Sequence, residues 1–222
     1  MVASRLVKSY ESTLAIFFRL NIPLGIHKRI AELEGISIPA EVPTAISLAP
    51  GISISVGKPA RIARVGKTEM QYQEDRFALL LNGPIEELAS VLERVKEIYG
   101  KYGYDFEKTV RYYELNFPPQ PIDIDGGVTC IKRGISVSFA NDLSNIFGCK
   151  LEPFTISLTY PDTPLTDEWL SIALEPEVNA PYSRLLIRIV KREVSFLKMH
   201  EFLKDLPEKL NKLFNILVSG EY

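Results

Sequence analysis

The stretch YSRLLIRIVKR, residues 182–192, sets its arginines and most of its aliphatic residues at opposite parity. Leu185, Ile187 and Ile189 fall on one side of an extended chain, and Arg184, Arg188 and Arg192 fall on the other, with Leu186 and Val190 between the arginines. Successive side chains of a strand point to opposite faces, so this pattern specifies a strand with one apolar and one polar side. The same period runs through STLAIFFRLNI (Leu14, Ile16, Phe18, Leu20, Ile22) and GISISV (Ile52, Ile54, Val56 against serines). It also runs through FTISLTY (Phe154, Ile156, Leu158, Tyr160 against Ser and Thr). Several such segments in one chain imply an antiparallel sheet with one face covered and one open.

Helical spacing supplies the cover. In PIEELASVLERVKEIYGKYG, Ile85, Leu88, Val91, Leu92, Val95 and Ile98 recur at intervals of three and four, with Pro84 at the expected first helical position and Gly100 at the expected end. The C-terminal SFLKMHEFLKDLPEKLNKLFNILVSG places Phe196, Met199, Leu203 and Leu206 on one stripe and Leu210, Leu213, Phe214 and Leu217 on another. Pro207 should kink or restart that helix, with Asp205 as a new cap. Shorter helices are expected at IHKRIAELEG and FANDLSNIFG, ending at Gly35 and Gly148.

Two segments repeat. FFRLNIP at 17–23 and YYELNFP at 112–118 share the pattern aromatic, aromatic, charged, Leu, Asn, apolar, Pro. RFALLL precedes the first long helix as RLLIRI precedes the last. Each half then reads as strand, short helix, three or four strands and a long helix, with YGKYGYDFEK at the junction. The expected fold is α+β: an internal duplication, 1–105 and 106–222, within one continuous globular chain. The element order resembles that of the TATA-binding-protein-like and helix-grip folds. The resemblance is one of element order and carries no functional residue with it.

Bulk properties restrict the function. In 222 residues, 46% are hydrophobic, which is enough for a core without metal or disulfide support. The net charge of −2 gives no general basic excess of the kind nucleic-acid binders usually show, although a local basic face remains compatible with it. The N-terminal apolar run is short and broken by Arg19, unlike a signal peptide. No run reaches the roughly 18 apolar residues of a membrane span, so the cytoplasm is the expected location. Few Gln, Met and Cys beside abundant Ile, Glu and Lys lean towards a thermophile. The two cysteines, Cys130 and Cys149, read as buried thiols, with a disulfide as the sharper alternative.

Candidate chemistry is sparse. Asp123 and Asp125 in PPQPIDIDGGVTC resemble the paired aspartates of haloacid-dehalogenase-type phosphatases. That chemistry needs a buried parallel strand before the pair, whereas here Pro118, Pro119 and Pro121 precede it and Gly127 stands where the motif has Thr. The expectation is a proline-stiffened connection entering an Asp-Gly-Gly turn. His27 and His200 lie in opposite halves without ligand-spaced partners, so no zinc site is expected. No phosphate loop or nucleophile elbow is present, and no cofactor is implied.

The remaining candidate is the arginine stripe Arg184, Arg188 and Arg192. Guanidinium forks on an open sheet face can grip phosphate or carboxylate, or can simply pair with neighbouring Glu and Asp in solvent. Arg61, Arg64 and Lys67 add basic charge in the first half, but Arg61 and Arg64 have opposite parity and cannot share a side of a regular strand. The reading these features favour is a non-enzymatic binding module with a protein or nucleic-acid partner. The alternatives are a small-ligand carrier with a helix-covered apolar cavity, or an enzyme with a site between the halves. Exposed sheet edges are compatible with a homodimer, without specifying one.

Overall fold

The computed structural model describes residues 10–39, 46–49, 52–54, 59–123, 144–145, 154–159 and 167–219. In chain order the elements are β1 (Glu11–Phe18), α1 (Leu24–Leu33), β2 (Ile46–Ala49), β3 (Ile52–Ile54), β4 (Ala60–Val65), β5 (Thr68–Gln73), β6 (Ala78–Pro84), α2 (Ile85–Lys101) and α3 (Phe106–Thr109). They continue with β7 (Val110–Asp123), β8 (Ile156–Thr159), β9 (Trp169–Pro176), β10 (Arg184–Glu193) and α4 (Phe196–Ser219). The chain is therefore α+β, with an open antiparallel sheet of eight strands in the order β4-β5-β6-β1-β7-β10-β9-β8 and a separate β2-β3 ribbon. It forms two compact units, one of Glu11–Leu115 with Arg192–Lys204, the other of Met1–Tyr10, Asn116–Lys191 and Asp205–Tyr222.

In the first unit, alternation builds the core. Leu14, Ile16 and Phe18 of β1, Met70 and Tyr72 of β5, and Leu79 and Leu81 of β6 are all buried. Leu88, Val91, Leu92, Val95 and Ile98 of α2 are buried as well, and α2 packs on β6, β1 and β5. Each such aliphatic side chain contributes about 1.5–3 kcal/mol when withdrawn fully from water. Glu86 and Glu87 in the first turn of α2 and Lys101 in the last complement the helix dipole.

Helix α1 closes as its sequence predicts. Gly35 takes φ +66°, its N–H donates to the Glu32 carbonyl, and the Ile36 N–H reaches back to Ala31. This left-handed cap needs a residue without Cβ strain.

The register of β6 explains a second glycine. Gly83 lies opposite Ser12 of β1, and an added Cβ would sit 2.8 Å from the Thr68 Cα on the other side. Only glycine lets β5 and β6 approach this closely.

In the second unit, Leu185, Ile187 and Ile189 of β10 are buried with Phe117, Ile122, Ala173, Leu174, Leu206 and Leu210. Arg184 and Arg188 lie on the exposed side of β10, as the alternation requires.

Four expectations need correction. The alternation of β1 ends at Phe18: Ile22 is buried, but Leu20 is 79% exposed, because the chain turns after Phe18 instead of continuing as a strand. The FFRLNIP segment thus turns out of its strand, whereas YYELNFP stays within β7 throughout.

The prolines of the second segment do not end β7, which runs through Pro118, Pro119 and Pro121 to Asp123. Tyr10 meets Phe117 edge to face at 5.5 Å. Each proline removes only the backbone N–H at its own position, and its fixed φ is compatible with an extended chain.

Pro207 sits inside α4, which runs unbroken from Phe196 to Ser219, so no second start or Asp205 cap is used; Asp205 instead pairs with Lys209 one turn on. Pro84 is the residue before α2, and Gly100 lies within its last turn.

Finally, the apolar side of β8 is not core, since Phe154 and Leu158 are exposed. The expected helix at 139–148 lies outside the described residues apart from Ser144 and Asn145, as do Tyr160, Asp125, Cys130 and Cys149.

Candidate functional site on the open sheet face

Every arginine of the expected stripe is already held by a carboxylate. Arg184 Nε donates to Asp123 Oδ1 at 2.8 Å, and its guanidinium reaches Glu177 at 3.4 Å. Arg188 lies 3.7 Å from Glu175. Arg192 donates through Nε and one terminal nitrogen to the same Glu114 oxygen, at 2.9 and 2.6 Å. A ligand anion would have to displace these carboxylates, so its net gain at Arg184 or Arg188 would be small. Asp123, the described member of the acid pair, is exposed and serves as an arginine partner.

Strand β4 carries a feature that parity alone misses. Its pairing with β5 shifts between Arg61 and Ala63. A bulge places one extra residue in the strand and reverses the parity beyond it. Arg61 and Arg64 consequently reach the same acid: Arg61 hydrogen-bonds Glu69, and Arg64 approaches it at 3.7 Å. Gln71 also donates to Glu69, at 2.6 Å. The Arg61 guanidinium holds the Glu69 carboxyl below its usual range against the opposing effect of burial, and the Gln71 amide adds to the depression.

The first unit also contains a groove of about 510 Å³ on this side of the sheet. Among the described residues, its aromatic wall includes Phe17, Phe77 and Tyr112, its cations are Arg19, Arg76, Arg111 and Arg192, and its carboxylate is Glu114. Among the described residues this lining concentrates guanidinium groups within a chain of net charge −2.

Each wall has a local origin. Phe17 pairs with Ala78 across the β1–β6 ladder, so a small residue leaves room beside it. Its ring stacks on Tyr112 at 4.4 Å with 30° between planes. The Arg192 guanidinium lies 4.7 Å from the Tyr112 ring centre and that of Arg111 lies at 5.5 Å, both within cation–π range. Arg19 follows the end of β1, where its backbone N–H donates to the Thr109 carbonyl and its Nε to the Val110 carbonyl. Arg76 and Phe77 come from the 3₁₀ turn Glu74–Arg76 and its cap. Phe77 has φ 52° and ψ 42°, a left-handed conformation that is rare for a bulky side chain. Its carbonyl accepts from the Phe18 N–H at 2.9 Å, which ties the turn to β1, while the residue remains 39% exposed.

Among the described residues, Arg19 and Arg76 have no carboxylate partner. The sequence stripe therefore contributes only Arg192 to this groove, and Arg184 and Arg188 line none of it. Arg19, Arg76, Arg111 and Phe77 escaped the sequence reading. The available signal was the recurrence of an arginine next to an aromatic residue, in Phe18-Arg19, Arg76-Phe77 and Arg111-Tyr112.

The histidines take separate places. His27 is buried in α1, its Nδ1 2.5 Å from the Tyr99 hydroxyl and its ring 4.1 Å from that of Tyr72. Burial lowers its pKa to about 4, against the smaller opposing effect of the Ile22 backbone. His200 stacks on Phe196 and lies 3.8 Å from Glu93. No group of three or more metal-ligating side chains occurs among the described residues. Among them, too, no helix is long and apolar enough to cross a membrane.

No known protein family matches the chain, and no curated protein matches it in sequence.

Proposed function

We propose that the chain is a binding module without chemistry of its own, and that it receives an anionic partner on the open sheet face at the groove beside Tyr112. The observation that carries this reading is the contrast among the arginines. Those at 61, 184, 188 and 192 are held by carboxylates, whereas Arg19 and Arg76 face the groove without one. An incoming anion meets those two groups with no internal ion pair to break, which is the condition for a net electrostatic gain.

The same reading includes an internal duplication. In the first half the strand order is β4-β5-β6-β1 and in the second β8-β9-β10-β7, so in each the first strand lies beside the last, and a long helix follows. This repetition of order supports two copies of one unit, with 1–105 and 106–222 as the repeats.

Elution from a heparin matrix in a salt gradient tests the binding reading. The wild type is expected to be retained at low salt, Arg19→Ala with Arg76→Ala to elute distinctly earlier, and Arg184→Ala with Arg188→Ala to elute with the wild type. Flow-through of the wild type at low salt, or equal shifts in both double variants, would refute it.

A further inference from the structure

Building on that reading of the groove, we propose that its ligand is a nucleoside phosphate, with a base against Phe77, the exposed ring of the aromatic wall, and the phosphate between Arg19 and Arg76. Three properties of the site converge on this chemistry. The first is size: about 510 Å³ suits a small ligand or one segment of a larger one.

The second is the pairing of chemistries. A bare anion such as inorganic phosphate, or an acidic peptide, would use the arginines and leave the aromatic wall unmatched. A base offers a planar π-face to it, and stacking of this kind tolerates any base. Phe17 and Tyr112 stack on each other and so cover one face of each ring, while Phe77 stands partly exposed at the same groove and is the ring open to a base. Arg192, held by Glu114 against the Tyr112 ring, adds a guanidinium plane on which a base can also lie.

The third is the placement of the unpaired cations. Arg19 is anchored through Nε to the Val110 carbonyl, which leaves its terminal nitrogens for the ligand. Arg76 adjoins Phe77 in the chain, so one short turn supplies both a cation and a ring. Planar forks of this kind bind phosphate oxygens in pairs.

Two sources share this chemistry: a free nucleotide and one residue of a single-stranded nucleic acid. The test uses the full chain at low and moderate salt. Calorimetric titrations are run with ADP and with pyrophosphate, and anisotropy titrations with a labelled mixed-sequence ten-residue single strand. ADP, or the single strand, is expected to bind at least tenfold more tightly than pyrophosphate. Phe77→Gly, which relieves the left-handed backbone and so preserves folding, is expected to remove that advantage while leaving pyrophosphate binding intact. Arg76→Ala is expected to weaken all of these ligands about tenfold. Saturation by ADP with no gain from the strand assigns the free nucleotide, and affinity that rises with strand length assigns single-stranded nucleic acid. Pyrophosphate binding as tightly as both base-bearing ligands, or wild-type affinity in Phe77→Gly, overturns the proposal. If heparin retention still depends on Arg19 and Arg76 while neither ADP nor the strand binds, the anionic-partner reading stands and this inference fails; if retention is also lost, both fail.

Discussion

His27 Nδ1 lies 2.5 Å from the hydroxyl oxygen of Tyr99, inside the core of the first unit. Burial pushes the Tyr99 pKa up, so the phenol keeps its proton; it can donate to Nδ1 when the neutral imidazole carries its own proton on Nε2. Burial also holds the His27 pKa at about 4, against an ordinary value of 6.5. The folded protein therefore refuses a proton that the unfolded chain accepts. Above pH 6.5 both states hold a neutral ring, and the group adds no pH dependence. As the pH falls from 6.5 towards 4, the unfolded state gains the proton first and stability is lost, by about 3 kcal/mol in all. Urea unfolding at pH 7 and pH 4 checks this in wild type and His27→Gln, whose amide still accepts from Tyr99. The wild type should lose about 3 kcal/mol more than the variant over that interval, and equal losses would exclude His27 as the cause.

Phe77 holds a left-handed backbone that an L side chain resists. Replacing it with Gly removes that resistance, whereas replacing it with Ala removes the ring and keeps the resistance. Phe77→Gly should consequently be more stable than Phe77→Ala by about 1 kcal/mol. Because the side chain is only partly buried, the two variants lose similar packing, and the difference isolates the backbone. Denaturant midpoints of the two variants that coincide would show that the turn relaxes without strain.

The periodic parts of the fold were legible because backbone geometry sets their periods. The buried side of α2 and of β10 follows the three-and-four and every-second spacing read from the sequence. The site was not legible for three physical reasons. First, its side chains come from the end of β1, a 3₁₀ turn, β7 and β10, which only the strand pairing brings together. Second, similar segments can have different neighbours: Asn21, just beyond β1, accepts from the Tyr72 hydroxyl at 2.7 Å, while its counterpart Asn116 sits exposed within β7. Third, parity counting assumes a regular strand, and the shift between Arg61 and Ala63 breaks that assumption. An arginine stripe can be read from sequence, but the carboxylates that occupy it lie 61 or 78 residues away in the cases of Asp123 and Glu114.

The bulge in β4 makes an ordered prediction about the cluster it creates. Glu69 is partly buried and accepts from both Arg61 and Gln71, so Glu69→Ala strands a partly buried guanidinium and an amide together. Hydrogen bonds to charged groups of this kind are worth about 1.5–3 kcal/mol, and the variant should lose about 2 kcal/mol. Arg61→Ala removes the more buried of the two cations and should cost less, since Glu69 retains Gln71 and the approach of Arg64. Arg64 is more than half exposed at 3.7 Å, so Arg64→Ala should cost under about 0.5 kcal/mol. Guanidinium unfolding would mask such pairs by screening, so urea is the denaturant to use. The expected order of loss is Glu69→Ala, then Arg61→Ala, then Arg64→Ala. An Arg64→Ala loss as large as that of Arg61→Ala would mean that the two arginines share Glu69 equally, contrary to the geometry of the bulge.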